Sequence, residues 1–231
     1  MMLVFGKNVL KELDPKKVRK AYLNKNLKDN SIQKYLLDNH IRFELVDNKR
    51  LDKLVTGNHQ GIVIDIDDYN YYSLNDIDNE GFVVMLDHLE DPHNLGAIIR
   101  TCECAGIKSI ILPKDRSVRV NETVMKVSTG ALERVKIILV NNMVTAMDKL
   151  KDKGYFIYAA DMDGADYRTI DYAERKVLVI GNEGKGISRL VSENSDVIIS
   201  IPMKGELNSL NASVSAGILI YGMDKGDNIG L

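Results

Sequence analysis

The chain has 231 residues, a net charge of −2, 45% hydrophobic and 28% charged residues, and 4 Pro beside 17 Gly. This excludes disordered, collagen-like and low-complexity classes and leaves room for one large domain or two small ones with a real core. No run approaches 18 apolar residues and no long apolar segment follows a basic start, so neither a membrane span nor a signal peptide is expected, and a cytoplasmic setting is.

In chain order, the apolar spacing predicts a helix over 7–13, a strand over 18–24, a helix over 31–39, a strand over 41–46, a helix over 49–55 and a strand over 62–66. That alternation describes a small α/β sandwich. Charge marks it as a unit, because residues 1–64 carry 13 Lys and Arg against 7 Asp and Glu. The next sixteen residues hold 6 acids and no base, with neither helical nor alternating periodicity, and read as a linker. The expected division is therefore a small α/β domain over 1–66, an acidic linker over 67–80 and a larger domain over 81–231. Net charge alone argues against a nucleic-acid partner, whereas the basic front unit argues for one; a merely solvated basic surface is the alternative.

Beyond the linker, continuous apolar runs at 82–86, 109–112, 135–140, 155–160, 177–180 and 197–201 suit parallel strands buried on both faces. Helix-like stretches at 92–105, 121–128, 143–152, 188–194 and 208–222 lie between them or follow them. The predicted fold class is α/β, a doubly wound parallel sheet behind a small α/β unit. In such a sheet ligands sit beyond the carboxyl ends of the strands, so the segments that follow strands are the places to search.

Three of these segments are informative. In the first, Asp91 and Pro92 form an N-cap and first-turn pair that starts a helix. Asn94 and Arg100 in that helix are six residues apart, about 240° round the wheel. They cannot easily serve one pocket, so either a neighbouring subunit supplies one of them or Asn94 only caps the helix. In the second, an apolar strand runs into Gly181-Asn182-Glu183-Gly184-Lys185-Gly186. The glycines suit a tight turn or close backbone approach to a ligand. Neither a P-loop nor a dinucleotide fingerprint fits the spacing, and Glu183 suits a cationic or neutral ligand better than a phosphate. In the third, the strand ends at Pro202 and a helix is expected from about Asn208, with Ser209 and Asn211 at its exposed start and a run of small residues after them. Those small residues fit close helix packing, within the chain or across a dimer.

Other candidates carry less. Cys102 and Cys104, two apart on a helix, make neither a bridge nor a zinc site and read as buried free thiols. No metal site is expected from the four His. Asp161-Met162-Asp163-Gly164-Ala165-Asp166 has the wrong glycine position for a calcium loop, and Tyr172 stands where the bidentate acid belongs.

The segments DPHNLGAIIRTCECAG, VLVIGNEGKGIS and ISIPMKGELNSLNASVSAGI resemble, in this order, the three signature motifs of the SpoU-type (TrmH family) RNA ribose 2'-O-methyltransferases of the SPOUT superfamily. VSTGALERV between them matches as well, and the resemblance covers residues 81–222. Ala212 and Ser215 depart from the common Val and Ala, and both are small. The front unit, with VFGKNVLKEL and HQGIVI, is similar to the ribosomal-protein-like RNA-binding domain that many members carry.

The resemblance implies a trefoil knot, S-adenosylmethionine as cofactor, a homodimer joined through the catalytic domain, and structured RNA as substrate. Among its subgroups, the one that methylates a guanosine of large-subunit ribosomal RNA is the most similar. A tRNA target is the alternative within the class, and a non-catalytic RNA-binding protein of the same fold the alternative outside it. The catalytic set it implies is Arg100, Asn94, Glu183, Ser209 and Asn211. Arg100 would lie beside the target 2'-hydroxyl, and stabilising the developing alkoxide suits it better than acting as a base, since a guanidinium stays protonated. Gly181, Asn182, Glu183, Ile201, Met203 and Leu210 would hold the cofactor, with Thr129 and Gly130 bordering the same pocket.

Overall fold

The computed structural model describes residues 2–224, which fall into two compact units. The first comprises residues 2–70 and 120–133, the second residues 71–119 and 134–224.

The first unit runs β1 (Met2–Phe5), α1 (Lys7–Glu12), β2 (Val18–Asn24), α2 (Asn30–Asp38), β3 (Phe43–Val46), α3 (Asn48–Leu54) and β4 (Ile62–Ile66). Its mixed sheet has the order β1-β4-β2-β3, with β2 and β3 parallel and the other pairs antiparallel. Alternation in β2 sends Ala21 and Leu23 into a core with Ile32 and Leu36 of α2, while Tyr22 turns to the opposite face with Val63 and Leu51. Both faces are therefore covered by helix. The short edge strand β1 lies outside the predicted elements.

In the second unit, β5 (Phe82–Leu86), α4 (Pro92–Cys104) and β6 (Ser109–Pro113) come first. The chain then returns to the first unit as α5 (Glu122–Ser128), which packs on β1, with Met125 against the α2 core. This departs from the predicted division, in which the chain beyond residue 80 builds only the larger domain. The second unit resumes with β7 (Lys136–Val140), α6 (Met143–Asp152), β8 (Phe156–Asp166), β9 (Lys176–Ile180), α7 (Arg189–Glu193), β10 (Val197–Ser200) and α8 (Ala212–Met223). All six strands are parallel, in the order β10-β8-β9-β5-β6-β7. Their interiors, such as Val83, Met85, Ile111, Val177 and Val179, are fully buried, as the continuous apolar runs require.

Two boundaries differ from expectation in ways that shape the site. β8 extends past its apolar run through Asp161–Asp166, where β10 shifts register to pair Ile199 and Ser200 with Ala165 and Asp166. A side chain at Gly164 would collide with the Ile198 and Ile199 backbone, so that glycine serves strand approach. The last helix starts at Ala212, with Asn211 as N-cap, and Asn208–Leu210 are loop.

The two cysteines differ as well: Cys102 is fully buried, which pushes its thiol pKa up, whereas Cys104 is exposed and not buried as expected. Two residues on a helix turn about 200°, so one side faces the core and the other solvent. A maleimide applied to the folded protein is expected to modify Cys104 alone, and mass spectrometry of the peptides checks it. Equal labelling of both would contradict this packing.

Candidate active site

The site is built where β8, β9 and β10 end side by side. Ile180 is the last residue of β9, and Gly181 opens a loop that folds straight back: Asn182 and Gly186 exchange backbone hydrogen bonds in both directions at 2.9 Å. A Cβ on Gly181 would overlap the Gly186 carbonyl carbon and the Ile187 nitrogen, so only glycine fits. Asn182 fixes the turn from within, its Oδ1 accepting from the backbone N–H of Gly184 at 2.9 Å and its Nδ2 donating to the His88 carbonyl at 2.9 Å.

From the neighbouring β5 end, Asp87 anchors the same loop. Its carboxylate, 1% exposed, accepts from the Ser188 N–H at 2.6 Å and pairs with His88 Nδ1 at 2.6 Å. His88 itself stands in the left-handed region (φ 60°). Asp87 and His88 are missing from the residues predicted for the site, although a carboxylate directly after a fully apolar strand is the signal that could have found them.

These loops and the chain after β10 enclose a cavity of about 620 Å³. Gly181, Asn182, Glu183, Ile201, Met203, Ser209 and Leu210, all predicted site residues, line it together with Asp161, Asp163 and Leu219. Asn94, buried on the first turns of α4, donates from Nδ2 to Glu183 Oε1 at 2.6 Å, which joins the first and second motifs within one chain. Asp91 caps α4 through the His93 N–H, so Asn94 is free for this contact and is not the cap.

Four predicted residues stand elsewhere. Arg100 is exposed on another side of α4 from Asn94. Asn211 is engaged as the cap of α8, its Oδ1 accepting from the Ser213 and Val214 N–H groups. Thr129 and Gly130 belong to the first unit, where Thr129 ends α5 in the left-handed conformation and Gly130 lies against the Glu12 side chain. Among the described residues no group of three or more His, Cys, Asp and Glu could hold a metal ion, and no helix is long and apolar enough to cross a membrane.

A cavity at the carboxyl ends of parallel strands, closed by glycine-rich and polar loops, defines a ligand-binding α/β protein. Residues 81–221 match the SpoU rRNA methylase family, and residues 3–72 match the RNA 2'-O ribose methyltransferase substrate binding domain. The chain therefore belongs to the SpoU (TrmH) family and is an RNA methyltransferase. It is similar to a Staphylococcus aureus (strain COL) protein assigned to the TrmH family of tRNA/rRNA methyltransferases, 39% identical over 230 residues, with 95% of this chain and 89% of that one covered. The YacO protein of Bacillus subtilis (strain 168), assigned likewise, is 42% identical over 181 residues, covering 75% of this chain and 73% of its own. Among solved structures, the AdoMet-bound rRNA methyltransferase of Sinorhizobium meliloti superposes with a TM-score of 0.81 at 25% identity, covering 96% of this chain and 86% of that one.

Gly181→Ala is expected to abolish ligand binding in this cavity while most of the sheet survives, because the new Cβ meets backbone atoms that no rotamer can move. Calorimetric titration of S-adenosylmethionine beside a circular dichroism spectrum checks it. Wild-type affinity in this variant would contradict the close backbone contact described.

Proposed function

We propose that this protein is an S-adenosylmethionine-dependent ribose 2'-O-methyltransferase acting on structured RNA, with a guanosine of large-subunit ribosomal RNA favoured over tRNA, in the cytoplasm. The observation that carries the reading is the cavity between the β8, β9 and β10 ends. Its volume lies in the range of small-molecule sites. Ile180, Ile199, Ile201, Leu210 and Leu219 offer apolar walls for a purine and an alkyl chain, while Asp161, Asp163 and Glu183 outnumber the one base, Lys185, as suits a cationic ligand. The trefoil knot belongs to this reading through the family resemblance of the second and third motifs.

Backbone groups at Gly181, Ile201, Met203 and Leu210 would hold the cofactor. When bound, S-adenosylmethionine supplies a methyl group made electrophilic by its sulfonium. The chain's own task is to place a ribose hydroxyl in line with it and to accommodate the charge that appears as the hydroxyl proton leaves. Asn94 holds the Glu183 carboxylate in one orientation, leaving Oε2 for the target nucleotide, and Ser209 offers a hydroxyl at the same wall. Arg100 is the group suited to the developing alkoxide, its guanidinium being permanently charged.

Because Asn94 and Glu183 share one chain and Arg100 faces away from them, Arg100 enters this site from a second subunit. Val214 and Tyr221 on α8, about half exposed, and Leu207, 80% exposed, leave apolar surface for such a homodimer.

Mass mapping of ribose methylation in rRNA and tRNA treated with the purified protein and S-adenosylmethionine tests the substrate. A single new 2'-O-methylguanosine in large-subunit rRNA is expected, whereas methylation of tRNA alone would move the substrate to the other class. Arg100→Ala should lower single-turnover methylation about a hundredfold, the scale of a lost oxyanion donor, with cofactor affinity unchanged and little rescue by Arg100→Lys. Full activity in Arg100→Ala would remove it from the chemistry. Mixing Arg100→Ala with Glu183→Ala chains should restore activity that neither homodimer has, and no recovery would place both groups in one chain.

A further inference from the structure

The acidic stretch Asp161–Asp166 fits no calcium loop, yet the fold sets its first residue in the site. Asp161 lies on β8 where the strand leaves its apolar run. In the sheet order β8 sits between β9 and β10, the two strands whose following loops close the cavity. Asp161 is thus the side chain where the middle strand leaves its buried apolar run, and it lines the cavity with Gly181, Ile201 and Leu210. Its Oδ1 is engaged by the N–H of Met162 at 2.7 Å. Its Oδ2 faces the glycine loop, so that a Cβ on Gly186 would come to 3.9 Å from it. Among the described residues no hydrogen bond or ion pair occupies that oxygen.

A half-buried carboxylate at a cavity wall, with one oxygen held and the other facing the glycine loop without a hydrogen bond or ion pair among the described residues, is an acceptor awaiting a donor. At a strand end in a parallel sheet, the donors that a carboxylate commonly meets are the vicinal hydroxyls of a ribose, which it can engage without losing its charge. Resting on the cofactor reading above, we infer that Asp161 binds the ribose hydroxyls of the adenosyl group through Oδ2 and is a specificity residue for the nucleoside part of the cofactor. The alternative role for an acid here is attraction of the sulfonium. The two roles separate cleanly, because S-adenosylmethionine and S-adenosylhomocysteine share the ribose but only the first carries the charge.

The test is calorimetric titration of the full-length protein and of Asp161→Ala and Asp161→Asn with S-adenosylmethionine, S-adenosylhomocysteine and 2'-deoxy- and 3'-deoxy-S-adenosylhomocysteine, with melting temperatures confirming folding. Asp161→Ala is expected to weaken the first two ligands equally, by about tenfold or more, the scale of a hydrogen bond to a charged group. Asp161→Asn, which keeps a carbonyl acceptor, should lose less. The wild type should discriminate against at least one deoxy analogue, and Asp161→Ala should not. A loss confined to S-adenosylmethionine would assign Asp161 to the sulfonium and overturn the inference. Unchanged affinity for both ligands, or discrimination against the deoxy analogues that persists in Asp161→Ala, would overturn it as well. If the wild type binds neither ligand, the cofactor reading falls and this inference with it. Should Asp161→Ala fail to fold, Asp161→Asn carries the comparison in weaker form: its discrimination against the deoxy analogues should fall below that of the wild type, and undiminished discrimination would overturn the inference.

Discussion

The contact on which the rest of the site depends is backbone against backbone at the end of β9. Gly181 passes so close to Gly186 that no side chain can stand between them, and the loop is held there by its own paired hydrogen bonds and by Asn182. The loop in turn fixes where Glu183 emerges, and Asn94 reaches that carboxylate while Asp91 caps α4. A buried carboxylate, Asp87, ties the far end of the loop to the neighbouring strand through the Ser188 N–H. Burying such a charge is costly unless every acceptor site is used, and here both oxygens have partners. The cavity is therefore a consequence of strand order and two glycines before it is a property of any catalytic side chain.

The substrate-binding unit follows a different logic. Several of its basic residues are committed to ion pairs, Lys7 with Asp29, Lys17 with Glu133, Arg19 with Asp67, and Lys20 and Arg50 with Glu44. Pairs at this exposure contribute little to stability, but they take cations out of the field that a phosphate backbone would meet. The positive potential then rests with exposed residues such as Lys25, Lys28, Arg42, Lys49 and Lys53. RNA affinity carried by them would fall steeply with salt. Because α5 completes the core of this unit, with Val124 fully buried, the unit is not a detachable N-terminal bead.

Most of the fold was legible because its elements obey local rules. The strands at 18–24, 62–66 and 82–86 and the helix at 143–152 coincide with their predicted spans, since apolar alternation or a continuous apolar run decides the strands and apolar residues at i, i+3, i+4 and i+7 decide the helix. What was not legible is instructive. β1 is a four-residue edge strand, too short for its apolar run to show a period. The β8 extension is polar because it pairs with β10 beyond the buried core, so no periodicity betrays it. The start of α8 moved to Ala212 because Asn211 outcompetes Asn208 as a cap once the loop before it must line the cavity. At the site, motif residues that cluster in one cavity were visible as motifs; Asp87 was signalled only by its place directly after an apolar strand, and the place of Asp161 depends on strand adjacency that no local pattern encodes.

The central claim is that the ends of β8, β9 and β10 form the cofactor site. A crystal structure of the protein with S-adenosylhomocysteine tests it most directly. The account predicts the ligand between the Gly181–Ile187 loop and the Ile201–Leu210 segment, with its ribose beside Asp161 and its sulfur open toward Glu183. A ligand bound elsewhere on the sheet, or in this cavity with the Gly181–Gly186 contact undone, would contradict it.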